Sequence, residues 1–591
     1  MPETVNPRQE FKQPRRNLWI TFPYDISLLS LFDDRTRSLG FLFMRITDGV
    51  KLSGLFLVIG ITCAWMDGGI GNVIHLIKRL YVYHGLPKTS FYVLAYLATV
   101  AGLVSLYASR SALLRHLSYL ISFLSISLFL SYKNINGYGY TFHDAQTALS
   151  NLFFAGEALR TFYPHCIWPV IIAFSFVSAV EIMHKTFLPK LNPAFALVAL
   201  FSIFPVYGIN ERTQGGISLF PIMYEVPVLT YTAFFDAPPR VERREPSFDP
   251  CGQALAKHLI FIVDESIRGD MLSINGYEIN TTPFWASVSE KARNFGVASS
   301  CTNCSSTTNT ILVTGIDINQ LPDTGYETLK QPSLFQYAQR AGYKTFFLDG
   351  PNSRGRPRDY LGESDIRAID SYRCVKREYS GIENYRIDYK MIELVEEIIN
   401  SQESSFIYMI KYGCHFSYEN DYPHEYKHFS PTISEVEHID LQSVLNSYYN
   451  ALLWSVDGFF ERLIPVLQDK DVLVIYTSDH GQSIEEYRTM PATHCLGKNA
   501  PGSQASVPFI LFPMNERITT SLDEMTSDTF DHNYGKVSHF QIFPTLLVIM
   551  GYPPAEVSDR YGATIFDELP AERMFITGSL YGKGDFQVKK F

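Results

Sequence analysis

Three short stretches of this chain hold residue types that can do chemistry together. One apolar run ends in Asp264-Glu265-Ser266, and another ends in Thr477-Ser478-Asp479-His480-Gly481. Carboxylate and imidazole donors with little thiolate suit Zn2+ or a similar divalent ion. Between them, Ser299–Gly315 is a hydroxyl-rich loop that runs into an apolar helical pattern. At a helix N-terminus, free N–H groups and the helix dipole favour a phosphate or sulfate beside a Ser or Thr nucleophile. Plain N-capping uses the same residues, and an Asp-His pair this short also arises by chance.

The elements that must position these residues are legible around them. His258–Val263, Tyr343–Leu348, Phe406–Ile410, Val472–Tyr476 and Val507–Phe512 are short β-branched or aromatic runs that predict buried strands. Amphipathic stretches, Ile387–Asn400 and Leu441–Leu467 among them, lie between. Alternation of this kind predicts an α/β sandwich on a largely parallel sheet. Ligands of such sheets gather beyond the carboxyl ends of the strands, where Glu265, Asp479 and His480 fall.

The rest of the chain has another texture. Of 591 residues, 46% are hydrophobic and only 19% charged, with 50 Lys+Arg against 60 Asp+Glu. That balance excludes a disordered chain or one that wraps nucleic acid. Thr89–Ser109, His116–Tyr132, Thr161–Val180 and Leu191–Asn210 are free of Asp, Glu, Lys and Arg, and Leu52–Met66 extends upstream toward Ile46. About 17–25 apolar residues cross a bilayer, so an α-helical transmembrane domain of about five spans is expected. Arg110, Arg115, Lys185 and Lys190 fall on the same side as the basic N-terminal segment, with Lys78, Arg79 and Lys88 opposite. The positive-inside bias then puts the N-terminus in the cytoplasm and the α/β domain outside. No cleavable signal pattern is visible, so the spans are expected to be permanent.

Of the cysteines, Cys63 and Cys166 sit in or near spans, and Cys251, Cys301, Cys304, Cys374, Cys414 and Cys495 lie in the second half. Cys301 and Cys304 have the spacing of a redox or zinc pair, but no second CxxC follows.

Glu265-Ser266-x-Arg268, Ser273-Ile274-Asn275-Gly276-Tyr277 and Thr281-Thr282-Pro283 closely resemble the bacterial inner-membrane phosphoethanolamine transferases of the alkaline phosphatase/sulfatase superfamily. The match continues through Gly413-x-His415, Tyr422-Pro423, Asn446-Ser447-Tyr448, Tyr476–Gly481 and Val537–Gly551. The resemblance implies a sulfatase-like catalytic domain behind a membrane domain. It also implies zinc-dependent transfer of phosphoethanolamine from phosphatidylethanolamine to lipid A, a lipopolysaccharide core sugar or another envelope glycan, through a phosphoryl-enzyme. Glu265, Asp479 and His480 match the family's metal ligands. The family spacing from Glu265 and that from Thr314 both land on Ser305 as nucleophile and fourth ligand, with Ser306, Thr307 and Thr308 as rivals. His415 and His494 match histidines near the transferred phosphate. Ser353 and Arg354 occupy the place of a headgroup-binding loop, and Glu157 that of a donor-lipid contact. His424 and His428 read as surface histidines.

The chain also departs from the family. Serine stands where threonine is usual at the nucleophile. Ile311, Gly355 and Thr432 fall near places of family cysteines, whereas Cys304, Cys374 and Cys495 fit no family pair. Leu149 and Phe153 stand where Asn and Thr are expected before Glu157. Phosphoglycerol transfer on the same fold is the alternative reading, disfavoured by the Asn-Gly-Tyr and Thr-Thr-Pro run. Sulfatase activity would need a Cys/Ser-x-Pro-x-Arg loop, and a decayed binding protein would have lost metal ligands. The expected layout is a transmembrane domain at 1–210, a membrane-surface segment and linker at 211–255, and a periplasmic catalytic domain at 256–591.

Overall fold

The computed structural model describes residues 46–591 apart from 67–68, 151, 153–154, 187, 214–219, 236–240, 354–360, 402, 486–492, 498 and 583–585. Arg354, Phe153 and the basic residues before Ile46 therefore lie outside the described residues, as does the side chain of Glu157.

Among the described residues four helices, not five, are long and apolar enough to cross a membrane: Asp48–Met66, Gly85–Tyr107, Ala112–Asn136 and Phe162–Thr186. The expected fifth span, Leu191–Asn210, is shortened at its start. Leu191 pairs with Ser109 in an isolated bridge, and Asn192 caps a 3-10 turn at Pro193–Phe195 through the Ala194 amide. The α-helix proper begins only at Ala196 and ends at Thr213, with charge at Glu211 and Arg212. Absence of charge over a window is thus weaker than a helix of spanning length. Gly85, at φ 72°, breaks the Ile70–Tyr107 segment into two helices just ahead of Pro87. Beyond the spans, the 14-residue helix Ile222–Phe235 packs against Ala112–Asn136 and against the short helix Phe142–Ser150.

The second half is built on a seven-stranded sheet of β1 (His258–Asp264), β2 (Arg293–Ser299), β3 (Lys344–Asp349), β4 (Ser371–Cys374), β5 (Ser405–Ile410), β6 (Val472–Ser478) and β7 (Ser506–Pro513), in the order β2-β7-β6-β1-β5-β3-β4. From β6 to β4 every pairing is parallel, while β7 runs antiparallel to both its neighbours. The five strands expected from sequence are present; β2 and β4, the two edges, were not anticipated. Their sequences carry Arg293, Asn294 and Gly296, or Ser371 and Arg373, and lack the apolar run of a two-sided strand.

Alternation along β1 sends Leu259, Phe261 and Val263 into one hydrophobic cluster and Ile260 and Ile262 into the other. Helices Ser305–Thr314, Leu334–Arg340 and Ile542–Ile549 cover the first face. Asn384–Ile399 and the run Leu441–Leu467 cover the second. That run is one helix interrupted by a π turn at Leu453–Gly458. The register sets Asp264 opposite Ser478 and Val263 opposite Ile410. The next residues of all three strands, Glu265, Asp479 and Lys411, therefore emerge together at one edge of the sheet.

Candidate active site

The sheet edge carries the cluster. Glu265 follows β1, Asp479 and His480 follow β6, and Ser305 opens the helix Ser305–Thr314 reached from β2. His480 Nε2 lies 3.2 Å from Ser305 Oγ, 3.5 Å from Asp479 Oδ2 and 3.6 Å from Glu265 Oε1. The Ser305 hydroxyl donates to Glu265 Oε2 at 3.3 Å. All four residues that the resemblance implied as metal ligands thus meet around one imidazole nitrogen.

Hydrogen bonding fixes what each donor presents. His480 Nδ1 is 2.9 Å from the Gly481 carbonyl oxygen. A carbonyl only accepts, so Nδ1 carries the hydrogen and Nε2 keeps its lone pair for the cluster. Asp479 Oδ1 accepts from the amides of Ser266 at 3.0 Å and His480 at 2.7 Å, which leaves Oδ2 turned to His480 Nε2. Glu265 Oε1 accepts from Ser266 Oγ at 2.8 Å. The turn at Ser266, φ 65°, is held by Tyr448 Oη and Gln482 Nε2, which donate to its carbonyl at 2.9 and 3.0 Å. Gln482 also donates to the Cys414 carbonyl at 2.9 Å and accepts from Tyr418 Oη at 2.6 Å.

The histidines implied at the phosphate are also present. The His494 ring stacks on His480 with centroids 4.5 Å apart and planes 19° apart, and lies 5.7 Å from the His415 ring. Ligand atoms of Glu265, His480 and His494 all lie within 4.8 Å of one another, so His494 joins the metal-competent set. His415 is exposed at the rim, its Nδ1 hydrogen donated to the Phe416 carbonyl at 2.9 Å. Ser353 is half-buried beyond β3 and, among the described residues, makes no hydrogen bond to the cluster.

Burial works against charge here. It would raise the Glu265 carboxyl, but His480, His415 and His494, with the Ser266 hydroxyl, hold it down at about 2. Burial and the neighbouring Glu265 charge push the Asp479 carboxyl up to about 7. Burial and the adjacent imidazoles drive His494 well below the usual histidine range. Two crowded carboxylates and an imidazole lone pair fit a divalent cation, whose charge removes this repulsion. The donor set, oxygen and nitrogen without thiolate, suits zinc or a similar divalent ion. Cys301 and Cys304 do not form the pair their spacing suggested. Cys304 is bonded to Cys495, while Cys301 is buried with Sγ 3.9 Å from His539 Nδ1.

Asp264 turns away from the cluster. Its Oδ2 accepts from Lys411 Nζ at 2.6 Å and Tyr476 Oη at 2.8 Å, and its Oδ1 accepts from the Glu265 amide at 3.0 Å. Lys411 also faces Asp388 at 3.7 Å, and Asp388 Oδ1 and Oδ2 accept from the amides of Tyr412 at 2.7 Å and Gly413 at 3.2 Å. This buried network grips the backbone on both sides of the cleft. Lys411 and Gln482 were missed in the sequence, where only their place beside a strand-end motif marks them.

The membrane half touches the same cleft. Tyr138, just past the helix Ala112–Asn136, accepts through Oη from the Gly497 amide at 2.9 Å. Phe162 stacks on Phe416, the neighbour of His415, with centroids 6.5 Å apart.

The sulfatase family model matches residues 257–552, half of the chain and all seven strands of the sheet. The chain belongs to the sulfatase family. Among curated proteins this sulfatase-family chain is 24% identical over 410 residues to phosphatidylethanolamine transferase Mcr-1 of Escherichia coli, covering 66% of this chain and 68% of that one. It is 26% identical over 310 residues to Kdo(2)-lipid A phosphoethanolamine 7''-transferase of Salmonella typhimurium, covering 50% and 52%. The chain therefore spans about half to two thirds of the curated relatives it matches. These relatives bear out the resemblance to phosphoethanolamine transferases read from the motifs. Integral membrane lipooligosaccharide phosphoethanolamine transferase A from Neisseria meningitidis superposes with a TM-score of 0.58 at 16% identity, covering 88% of this chain and 99% of that one. At that identity the likeness concerns the fold, membrane helices included.

Proposed function

We propose that this protein transfers phosphoethanolamine from phosphatidylethanolamine to lipid A, a lipopolysaccharide core sugar or another envelope glycan. Glu265, Asp479 and His480 hold a zinc ion in this reading, with Ser305 as the fourth ligand and nucleophile. The observation that carries it is Ser305 Oγ at the first turn of a ten-residue helix, 3.2 Å from the lone pair of His480 Nε2. The names of the relatives supply the headgroup and the acceptor class.

Zinc, when bound, supplies positive charge that favours a deprotonated oxygen ligand and offsets charge on phosphorus. The chain's residues do the rest. Ser305 Oγ, its proton directed at Glu265 Oε2, attacks the donor phosphorus as the bond to the diacylglycerol oxygen breaks. The helix N-terminus around Ser305 stabilises the phosphate charge. His415, exposed at the rim, hands a proton to the leaving oxygen, while His494, stacked deeper and neutral, donates a hydrogen bond to the phosphoryl group. An acceptor hydroxyl then attacks the same phosphorus, its proton passing to the now neutral His415, as the bond to Ser305 Oγ breaks. Two of the rival hydroxyls are otherwise engaged: those of Thr307 and Thr308 lie 2.7 and 2.9 Å from Thr302 Oγ1.

In the same proposal, residues 1–210 form the membrane domain, 211–255 a surface segment and linker, and 256–591 a catalytic domain; its periplasmic place at the bacterial inner membrane follows from the resemblance to the transferases, because four spans alone would return the chain to the side of its N-terminus. Tyr138 and Phe162 support it by fixing the cleft against the membrane half. Mass spectrometry of envelope lipids and glycans from cells with and without the gene tests the function. An added phosphoethanolamine on lipid A or a core sugar is expected. An added glycerol phosphate, or no change, would overturn it.

A further inference from the structure

The disulfide Cys304–Cys495 joins segments 191 residues apart. Cys304 immediately precedes Ser305 and caps its helix, and Cys495 immediately follows His494. The bond therefore links the backbone that carries the nucleophile to the backbone that carries His494. Neither cysteine belongs to the two hydrophobic clusters that pack the sheet. Its place is the cleft, not the core.

Hydrogen bonds follow the same path. The Cys495 amide donates to the Asn303 carbonyl at 2.9 Å, and Asn303 Nδ2 donates to the Leu496 carbonyl at 2.7 Å and to Gln504 Oε1 at 2.6 Å. Gln504 Nε2 continues to Ser483 Oγ and the Thr493 carbonyl, at 2.9 and 3.1 Å. Cys495 itself sits at φ 56°, a left-handed conformation that a residue with a side chain holds only when its surroundings impose it. Its neighbour His494 is thereby set face to face with His480, 4.5 Å away.

We propose that the Cys304–Cys495 bond is a positioning device for His494, so that the reaction at Ser305 depends on an oxidised thiol pair. The inference rests on the group-transfer reading of the site. Displacement by about 1 Å of a group that must meet reacting atoms can cost a hundredfold in rate. The bond's loss should therefore lower kcat and leave KM, folding and metal content nearly unchanged.

The test uses full-length protein in detergent and two assays: transfer from phosphatidylethanolamine in mixed micelles, and hydrolysis of bis(p-nitrophenyl) phosphate. Cys495→Ser, the double variant Cys304→Ser with Cys495→Ser, His494→Ala, and Cys495→Ser combined with His494→Ala are compared. Cys495→Ser is expected to lower kcat about tenfold or more, and to have almost no effect in the His494→Ala background. A kcat within twofold of wild type, or the same fractional loss in both backgrounds, would overturn the proposal.

If the variants fail to fold, the folded wild type is treated with a phosphine. The phosphine is oxidised to its oxide, with oxygen from water, as the S–S bond gives two thiols. A reversible fall in kcat at constant zinc content is expected. Unchanged kcat would overturn the proposal, and so would loss of the metal or of the thermal transition, because the bond would then hold the fold and not the histidine. A wild type that cleaves the diester but leaves the lipid untouched defeats the proposed donor while this inference is still read from the diester.

Discussion

His480 keeps its Nδ1 hydrogen on the Gly481 carbonyl, 2.9 Å away, and so turns an unprotonated Nε2 to Ser305 Oγ at 3.2 Å. The same nitrogen faces Asp479 and Glu265 at 3.5 and 3.6 Å. His480→Ala or Asp479→Ala removes one donor from that convergence. Each variant should retain the thermal transition, lose its bound zinc by elemental analysis, and fall at least about a hundredfold in transfer. Chelation of the wild type should do the same, with recovery on added zinc. Full activity in metal-free Asp479→Ala would remove Asp479 from the metal site.

The proposed covalent step on Ser305 can be trapped. Without acceptor, the protein should accumulate phosphoethanolamine on the tryptic peptide 294–330, which follows Arg293 and ends at Lys330. Ser305→Ala should abolish the adduct. An adduct that persists in that variant and maps to Thr307 or Thr308 would move the nucleophile along the helix.

Gly413 allows the His415 loop to approach Glu265. At φ 63° a Cβ would lie 2.6 Å from the Glu265 carbonyl oxygen and 2.7 Å from Asp264 Oδ1. Gly413→Ala should destabilise the catalytic domain by about 1–3 kcal/mol and lower activity more than stability alone explains. Melting and turnover measured on one preparation decide this, and a variant indistinguishable from wild type would contradict the packing.

Acid should weaken the fold through buried histidines. Burial lowers His539 from 6.5 to about 3 and His258 from 6.5 to about 4. Both stay neutral in the fold while the unfolded chain takes up protons below 6.5. The stability they contribute is thus complete above pH 6.5 and is lost as pH falls toward 4 and then 3. His539→Gln, which can still bond Thr477, should flatten the fall of the melting temperature between pH 6.5 and 4. An unchanged slope would rule out His539 as a contributor.

Tyr138 and Phe162 should matter most when the donor is in a bilayer. Tyr138→Phe combined with Phe162→Ala removes the Gly497 hydrogen bond and the Phe416 stack. Transfer from vesicle phosphatidylethanolamine should fall about tenfold while hydrolysis of a soluble diester stays within about twofold. Equal losses in both assays would place the effect of these contacts in the catalytic centre.

The candidate site was legible because its residues sit at ends of strong strands. Glu265 and Asp479 each follow an apolar run, and the β1–β6 register then sets them side by side. His494 was legible only through resemblance, and its stacking on His480 was not. Cys304 and Cys495 fitted no expected pair, because partners so far apart in the chain are chosen by topology. Lys411 carried no sequence signal, since an ammonium at the end of a buried strand finds Asp264 and Asp388 only in the folded sheet. The span count failed at Pro193, where a charge-free window begins with a turn and not a helix.

Asp264 and Lys411 also constrain how this chain can drift through evolution. Their side chains are both 0% exposed; losing Lys411 strands the carboxylates of Asp264 and Asp388 in the interior, and losing Asp264 leaves Lys411 only the more distant Asp388, so breaking the pair costs about 3–5 kcal/mol. Neither codon can change alone without passing through a damaged protein, whereas a joint exchange for neutral residues of similar volume that also neutralises Asp388 is tolerable. Homologous sequences should therefore carry both residues or neither. Chimeras that graft one strand without the other should fail at the step of folding, before any question of catalysis arises.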